Sequence, residues 1–250
     1  MFDNPFFRSF PQFKTCFTDD AGAERSYLFP TYYEGTRALL GIFTCSWAKA
    51  QAWLPQRLVP VPAGIGRAAI AVGGFEYTNV KSVEPYQEVL FGVPAVQFRP
   101  GKLLPASGMF VRRLIVDKAE NVQRGKHLWG MDKSLGAFKF FDEGELRVCE
   151  VWRNDRRVLR FEVPRTGRSR VVREQRYLIT EKDGRLLRAF SAGQGRKIEH
   201  HRQGRLILGA DPFAVELEAL GISSVPLICR FLPSIDQAVG LPRESDPLGQ

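Results

Sequence analysis

The feature that most constrains this chain is a long succession of short segments rich in β-branched and aromatic residues, each closed off by Gly, Pro, Asn or Asp. They run Ala38–Thr44, Ala68–Tyr77, Glu88–Phe91, Met109–Val116, Arg147–Trp152, Val158–Val163, Val171–Ile179, Leu186–Ser191 and Ile198–Leu208. Such side chains fit a pleated surface, and the residues between them favour chain reversal, so the pattern predicts a mainly antiparallel β domain. Asp183-Gly184 lies between two of these segments and tolerates the positive φ of a tight hairpin, and Gln203-Gly204 gives a second turn signal. Helices are few. Ser46–Trp53 is entered through a Ser cap and stopped before Pro55, Asn121–Lys126 begins a helix that ends near Gly130, and Pro212–Leu220 adds a third. The predicted class is α+β, with the strands dominant.

The first residues, 1–34, are crowded with Phe and Pro and read as an arm that packs on the domain or on a partner subunit. Residues 35–242 form the β-rich domain, and 243–250 a frayed tail. A composition of 44% hydrophobic and 25% charged residues is that of an ordinary folded domain and argues against disorder. No apolar run reaches the ~20 residues that cross a bilayer. Residues 1–14 lack the basic segment, apolar block and cleavage site of a secretory leader, so a cytoplasmic location is expected.

Cys16, Cys45, Cys149 and Cys229 are far apart and form no CxxC pair, which predicts buried free thiols rather than a disulfide framework or zinc knuckle. The histidines are His127, His200 and His201, with no HExxH spacing, so no metal is expected. Adjacent on a strand, His200 and His201 point to opposite faces. The net charge of +9 attracts anions of any kind. Much of the excess lies between Arg153 and Arg176, among valines and leucines, where a solvated strand face explains it better than a nucleic-acid surface; no aromatic-interleaved reader motif accompanies it.

The run from Val116-Asp117 through Gly125-Lys126-His127 to Met131-Asp132-Lys133-Ser134 resembles, without a gap, the active-site segment of the acetoacetate decarboxylase family. There a strand ends in Asp, a Gly-Arg-Glu-like step follows, and Pro-Lys-Lys presents a reactive amine. The resemblance places Lys133 on the Schiff-base lysine and Lys126 on the basic residue after the glycine. Gly74-Phe75-Glu76 and Pro85-Tyr86-Gln87-Glu88-Val89 resemble the family's two acidic positions, which implies catalytic roles for Glu76 and Glu88. Trp53-Leu54-Pro55 and Leu206–Phe213 resemble flanking family segments, and the likeness spans about Gly35 to Gly240. It implies a cone or barrel of antiparallel strands around a buried pocket, a homo-oligomer, a small keto acid as partner, and no cofactor. Arg37 lies near the family's carboxylate-binding arginine, and a one-residue shift of register would turn it outward.

Such chemistry needs a lysine that sheds its proton well below the ordinary ~10.4. An apolar pocket and a neighbouring cation both favour the free amine. Trp129, Met131, Leu135 and Phe138 are expected to supply the apolar wall, with Trp129 and Met131 facing the substrate, and His127, Lys126 or Arg124 the cation. The sequence departs from the family at Ser134, which replaces the second lysine, and at Asp132, which replaces proline. The expected function is a Schiff-base-forming lyase acting on a keto acid through Lys133, by decarboxylation or by aldol or dehydration chemistry. The alternative is a non-catalytic binding protein for an anionic or apolar metabolite on the same fold.

Overall fold

In the computed structural model, residues 2–97 and 106–244 are described. A short helix, α1 (Pro5–Arg8), precedes a hairpin of β1 (Phe13–Thr18) and β2 (Glu24–Phe29). The long β3 (Thr31–Ser46) leads to α2 (Trp47–Trp53), β4 (Val59–Pro60), β5 (Arg67–Tyr77), β6 (Asn79–Val80), β7 (Tyr86–Gln97) and β8 (Ala106–Val116). Then come α3 (Ala119–Trp129), β9 (Lys133–Leu135), β10 (Ala137–Glu143), β11 (Leu146–Arg153), β12 (Arg156–Pro164) and β13 (Ser169–Lys182). The chain continues through β14 (Arg185–His201), β15 (Arg205–Leu208), α4 (Pro212–Ala219), β16 (Ile228–Val239) and β17 (Arg243–Glu244).

Strands β7, β5, β3, β16, β14, β13 and β8 pair in that order, and β8 pairs again with β7 to close a barrel. Every pairing around it is antiparallel except β13 with β8, which meet in parallel at Leu178↔Met109 and Ile179↔Phe110. A second sheet, β10-β11-β12-β15, covers one outer face. Between the two lies the main core, with Phe43, Ile70, Phe91, Cys149 and Phe161 all buried. Helix α4 closes its end through Phe213, whose ring meets that of Phe91 edge-on at 4.7 Å. The barrel strands are therefore apolar on both faces, one toward this core and one toward the interior, and β5 is buried along nearly its whole length.

The predicted arm turns out to be partly regular. Phe6 and Phe7 of α1 pack on Tyr32, Ala192 and Ala238, and Phe7 stacks on Tyr32 at 4.6 Å. Strand β3 already begins at Thr31, so barrel structure starts ahead of residue 35. At the other end Arg243 and Glu244 pair with β14, and 245–250 lie outside the described residues. The predicted Leu186–Ser191 and Ile198–Leu208 segments are joined differently: β14 runs unbroken through Gly193 and Gly195. Glycine there marks close approach, since a side chain at Gly195 would press on the β16 backbone at Ser234 and Ile235. Asp183 and Gly184 both take positive φ, 52° and 73°, as the hairpin reading required. Cys45, Cys149 and Cys229 are buried free thiols, whereas Cys16, on the outer hairpin, is exposed.

The arginine-rich strands are neutralised from within. Arg160 meets Glu143, Glu150 and Glu162, while Arg153 pairs with Asp211 and Arg165 with Asp142. Among the described residues no helix is long and apolar enough to cross a membrane.

Candidate active site

The chain leaves β8 at Val116, forms α3, turns through Gly130 at φ 63°, and returns as β9 beside β8, with Lys133 opposite Leu114. This detour delivers the lysine to the barrel interior. Its aliphatic stem passes directly over Gly125 of α3, where a Cβ would stand 2.6 Å from Cε and 3.0 Å from Cγ. Only a glycine leaves that passage open.

Lys133 Nζ donates to Glu88 Oε2 at 2.8 Å, and the two side chains are only 6% and 7% exposed. Glu88 projects from β7, level with Phe75 on one neighbouring strand and Val116 on the other. Arg124, from α3, is buried beside them. Its Nη2 donates to Tyr33 Oη at 3.2 Å, and that hydroxyl is 3.0 Å from Tyr86 Oη. Nη1 of Arg124 is buried with no partner among the described residues. Burial pushes the Lys133 pKa down, Glu88 pulls it back up by charge and hydrogen bond, and the Arg124 charge pushes it down again; the net displacement is below the ordinary value. Burial opposes the Arg124 charge too, yet Tyr33, Tyr86 and Glu88 hold its pKa above normal.

These groups face a cavity of ≈ 90 Å³. Phe75, Leu90, Leu114, Trp129 and Met131 make its apolar wall near the lysine. Of the residues expected there, Trp129 and Met131 line this cavity, whereas Leu135 is exposed and Phe138 packs on the main core. Further along lie Glu174, Arg176 and Gln237.

Three other candidates stand elsewhere. Glu76 neighbours two cavity residues, Phe75 and Tyr77, so strand alternation turns it to the outer face, where it pairs with Arg147. Arg37 lies opposite Glu76 in the ladder, shares that outer face and is exposed; the inward residue is Ala38. Lys126 points out from α3 to Asp20, at 2.7 Å. The departures at 132 and 134 also face away from the amine. Asp132 accepts from Arg113 Nε at 2.9 Å, and Ser134 Oγ accepts from Arg153 Nη1 at 3.1 Å. Of the three cations considered for the lysine's neighbour, Arg124 is the one in place, because Asn121, Arg124, Gly125 and Trp129 share the buried face of α3. Tyr33 was not singled out beforehand, and Tyr86 stood only within the Pro-Tyr-Gln-Glu-Val segment, where its two-residue spacing from Glu88 puts both on one strand face.

A closed barrel around a cavity that holds a buried lysine–carboxylate pair defines a pocketed β-barrel protein. The chain belongs to the acetoacetate decarboxylase (ADC) family, which it matches over residues 20–201. No curated protein matches it by sequence. Among solved structures it is similar to acetoacetate decarboxylase from Legionella pneumophila subsp. pneumophila str. Philadelphia 1, at 14% identity and a TM-score of 0.66, over 87% of each chain. It is also similar to the enduracididine biosynthesis enzyme MppR in complex with pyruvate, at 17% identity and 0.61, over 90% of this chain and 94% of that one. An acetoacetate decarboxylase-like enzyme from Sphingomonas wittichii RW1 shares 19% identity at 0.56, over 86% and 92%. At such identities the likeness is one of fold, and the fold is that of this family's enzymes.

Proposed function

We propose that this chain is a Schiff-base-forming lyase that acts on a keto acid through Lys133. The observation that carries the reading is the burial of the Lys133 amine against Glu88 inside the cavity, with its pKa displaced downward. A buried ammonium is costly unless paired, and a perturbed lysine in a cavity marks a functional site more often than a structural one. With Lys133 protonated, Lys133, Arg124 and Glu88 carry one net positive charge, which suits one substrate carboxylate. The free hydrogen-bonding capacity of Arg124 Nη1 gives that carboxylate a place to dock.

The chemistry follows from the pair. Lys133 passes its proton to Glu88, and the free amine adds to the keto carbon; the Glu88 carboxyl then returns that proton to the departing hydroxyl, so water leaves, a protonated imine remains and Glu88 is again a carboxylate. The imine nitrogen draws in an electron pair. In a β-keto acid the pair comes from the breaking bond to the carboxylate, carbon dioxide leaves, and the resulting enamine carbon takes a proton that Glu88 relays from a water molecule, whose hydroxide then serves imine hydrolysis. In an aldol or dehydration course Glu88 instead removes the proton next to the imine carbon. Pyruvate in one MppR complex, and a condensation product of pyruvate with imidazole 4-carboxaldehyde in another, keep 2-keto acids on the substrate panel.

The test is turnover of acetoacetate, longer β-keto acids, and pyruvate with an aldehyde, followed by carbon dioxide release and by product mass. Lys133→Ala abolishes turnover on this account. A Lys133→Ala protein as active as the parent removes the mechanism.

A further inference from the structure

The cavity has a second polar end that the imine chemistry does not use. Cross-strand register sets it out: Glu174 of β13 lies opposite Gly193 of β14, Gly193 opposite Gln237 of β16, and Gln237 opposite Tyr33 of β3. Directly opposed residues share a face, so this row runs along the interior wall. Tyr33, at one end, accepts from Arg124 beside the lysine. Glu174, at the other, stands three strands away, about 14 Å along the curved wall at ~4.8 Å per strand. The next row adds Arg176 opposite Ser191. Arg176 and Glu174 form an ion pair and are 37% and 31% exposed, which puts them at the mouth. Between the two polar ends, apart from Gln237 beside Tyr33, the wall is apolar, with Leu178, Leu232, Ile235 and Val239.

The charges at this mouth cancel. A second carboxylate there would meet Arg176 only at the side of Glu174, and an ammonium would meet Glu174 only at the side of Arg176. Each loses by repulsion much of what it gains. Ser191, opposite Arg176 in this row, by contrast has no side-chain hydrogen-bond partner among the described residues. The geometry points to a substrate whose far end is a neutral group that both donates and accepts hydrogen bonds, a hydroxyl or an amide, joined to the carboxyl-bearing end by apolar carbons. Arg176 and Ser191 are then the residues that set specificity. This deepens the lysine reading, since it takes the Lys133–Arg124 end as the one that holds the keto acid.

The test separates the two by using ligands that cannot form an imine. Calorimetric titration compares a medium-chain ω-hydroxy carboxylate with the plain alkanoate and the α,ω-dicarboxylate of equal length. The hydroxy acid binds roughly tenfold more tightly than either, the factor that one hydrogen bond to a charged group supplies. Arg176→Met and, separately, Ser191→Ala each bring the ratio toward one. Equal binding of the three ligands by the parent protein, or tightest binding of the dicarboxylate, overturns the inference whatever the variants do. Failure of Lys133 to form an imine with any keto acid, while the hydroxy preference stands, would instead refute the catalytic reading alone.

Discussion

Gly125→Ala separates the position of the lysine from its presence. A methyl at this position would sit 2.6 Å from Lys133 Cε, whereas ordinary contact begins near 3.4 Å, so the side chain must retreat by about 0.8 Å or more. That retreat draws Nζ out of line with Glu88, now 2.8 Å away. Displacements of ~1 Å in a reacting group can cost on the order of a hundredfold in rate. Folding suffers far less, because Ala in place of Gly inside a helix contributes about 1 kcal/mol, which offsets part of the strained ion pair. A net loss near 1–2 kcal/mol lowers Tm by about 2–8 °C in a domain of this size. The assay measures the rate of borohydride-trapped imine formation alongside a melting curve. The expected result is trapping slowed roughly a hundredfold in a protein that still melts cooperatively. A variant that traps at the parent rate would show that the passage over Gly125 does not position the amine.

Glu88→Gln and Arg124→Met should move the pH profile of imine formation in opposite directions. Glu88 raises the Lys133 pKa, so its neutral replacement lowers the midpoint below that of the parent; Arg124 lowers the pKa, so its removal raises the midpoint. A shift of either midpoint against its stated sign, read from trapping rates across pH, contradicts the electrostatic account. Glu88→Gln should also slow turnover on a β-keto acid by about 10²–10⁴-fold, the usual contribution of a positioned proton carrier, even where the imine still forms. Phe213→Ala, at a fully buried position against Phe91 and Trp53, should cost about 3–5 kcal/mol in urea unfolding; a loss under ~1 kcal/mol would mean the α4 contact is not core.

How much could be read beforehand depended on what each segment faces. The barrel strands announced themselves through β-branched and aromatic content, and Asp183-Gly184 through its tolerance of positive φ. Facing was harder. Because β5 and β7 are buried on both sides, alternation could not say which side is the cavity, and Glu76 stood as a catalytic candidate beside Glu88, which only its Pro-Tyr-Gln-Glu-Val setting favoured. The ladder distinguishes them: Glu88 is level with inward Phe75, and Glu76 with outward Arg37. A helix carries its own compass, so the spacing Asn121, Arg124, Gly125, Trp129 already held the choice of Arg124 over Lys126. Strand β16 was missed because Pro233, Ser234 and Asp236 interrupt its apolar residues; bulges in its pairing with β3 accommodate them. The polar row from Tyr33 to Glu174 was invisible for a simpler reason. It joins residues from four strands far apart in sequence, and only register brings them into line.

The most direct test of the central claim is peptide-level mass spectrometry of the protein incubated with acetoacetate, longer β-keto acids and pyruvate in the presence of borohydride. The account predicts a reduced, substrate-derived adduct on Lys133, whose mass tells whether carbon dioxide had left. Adducts confined to surface lysines, or none across the panel while the keto acids still bind, would contradict it and favour a binding protein on the family fold.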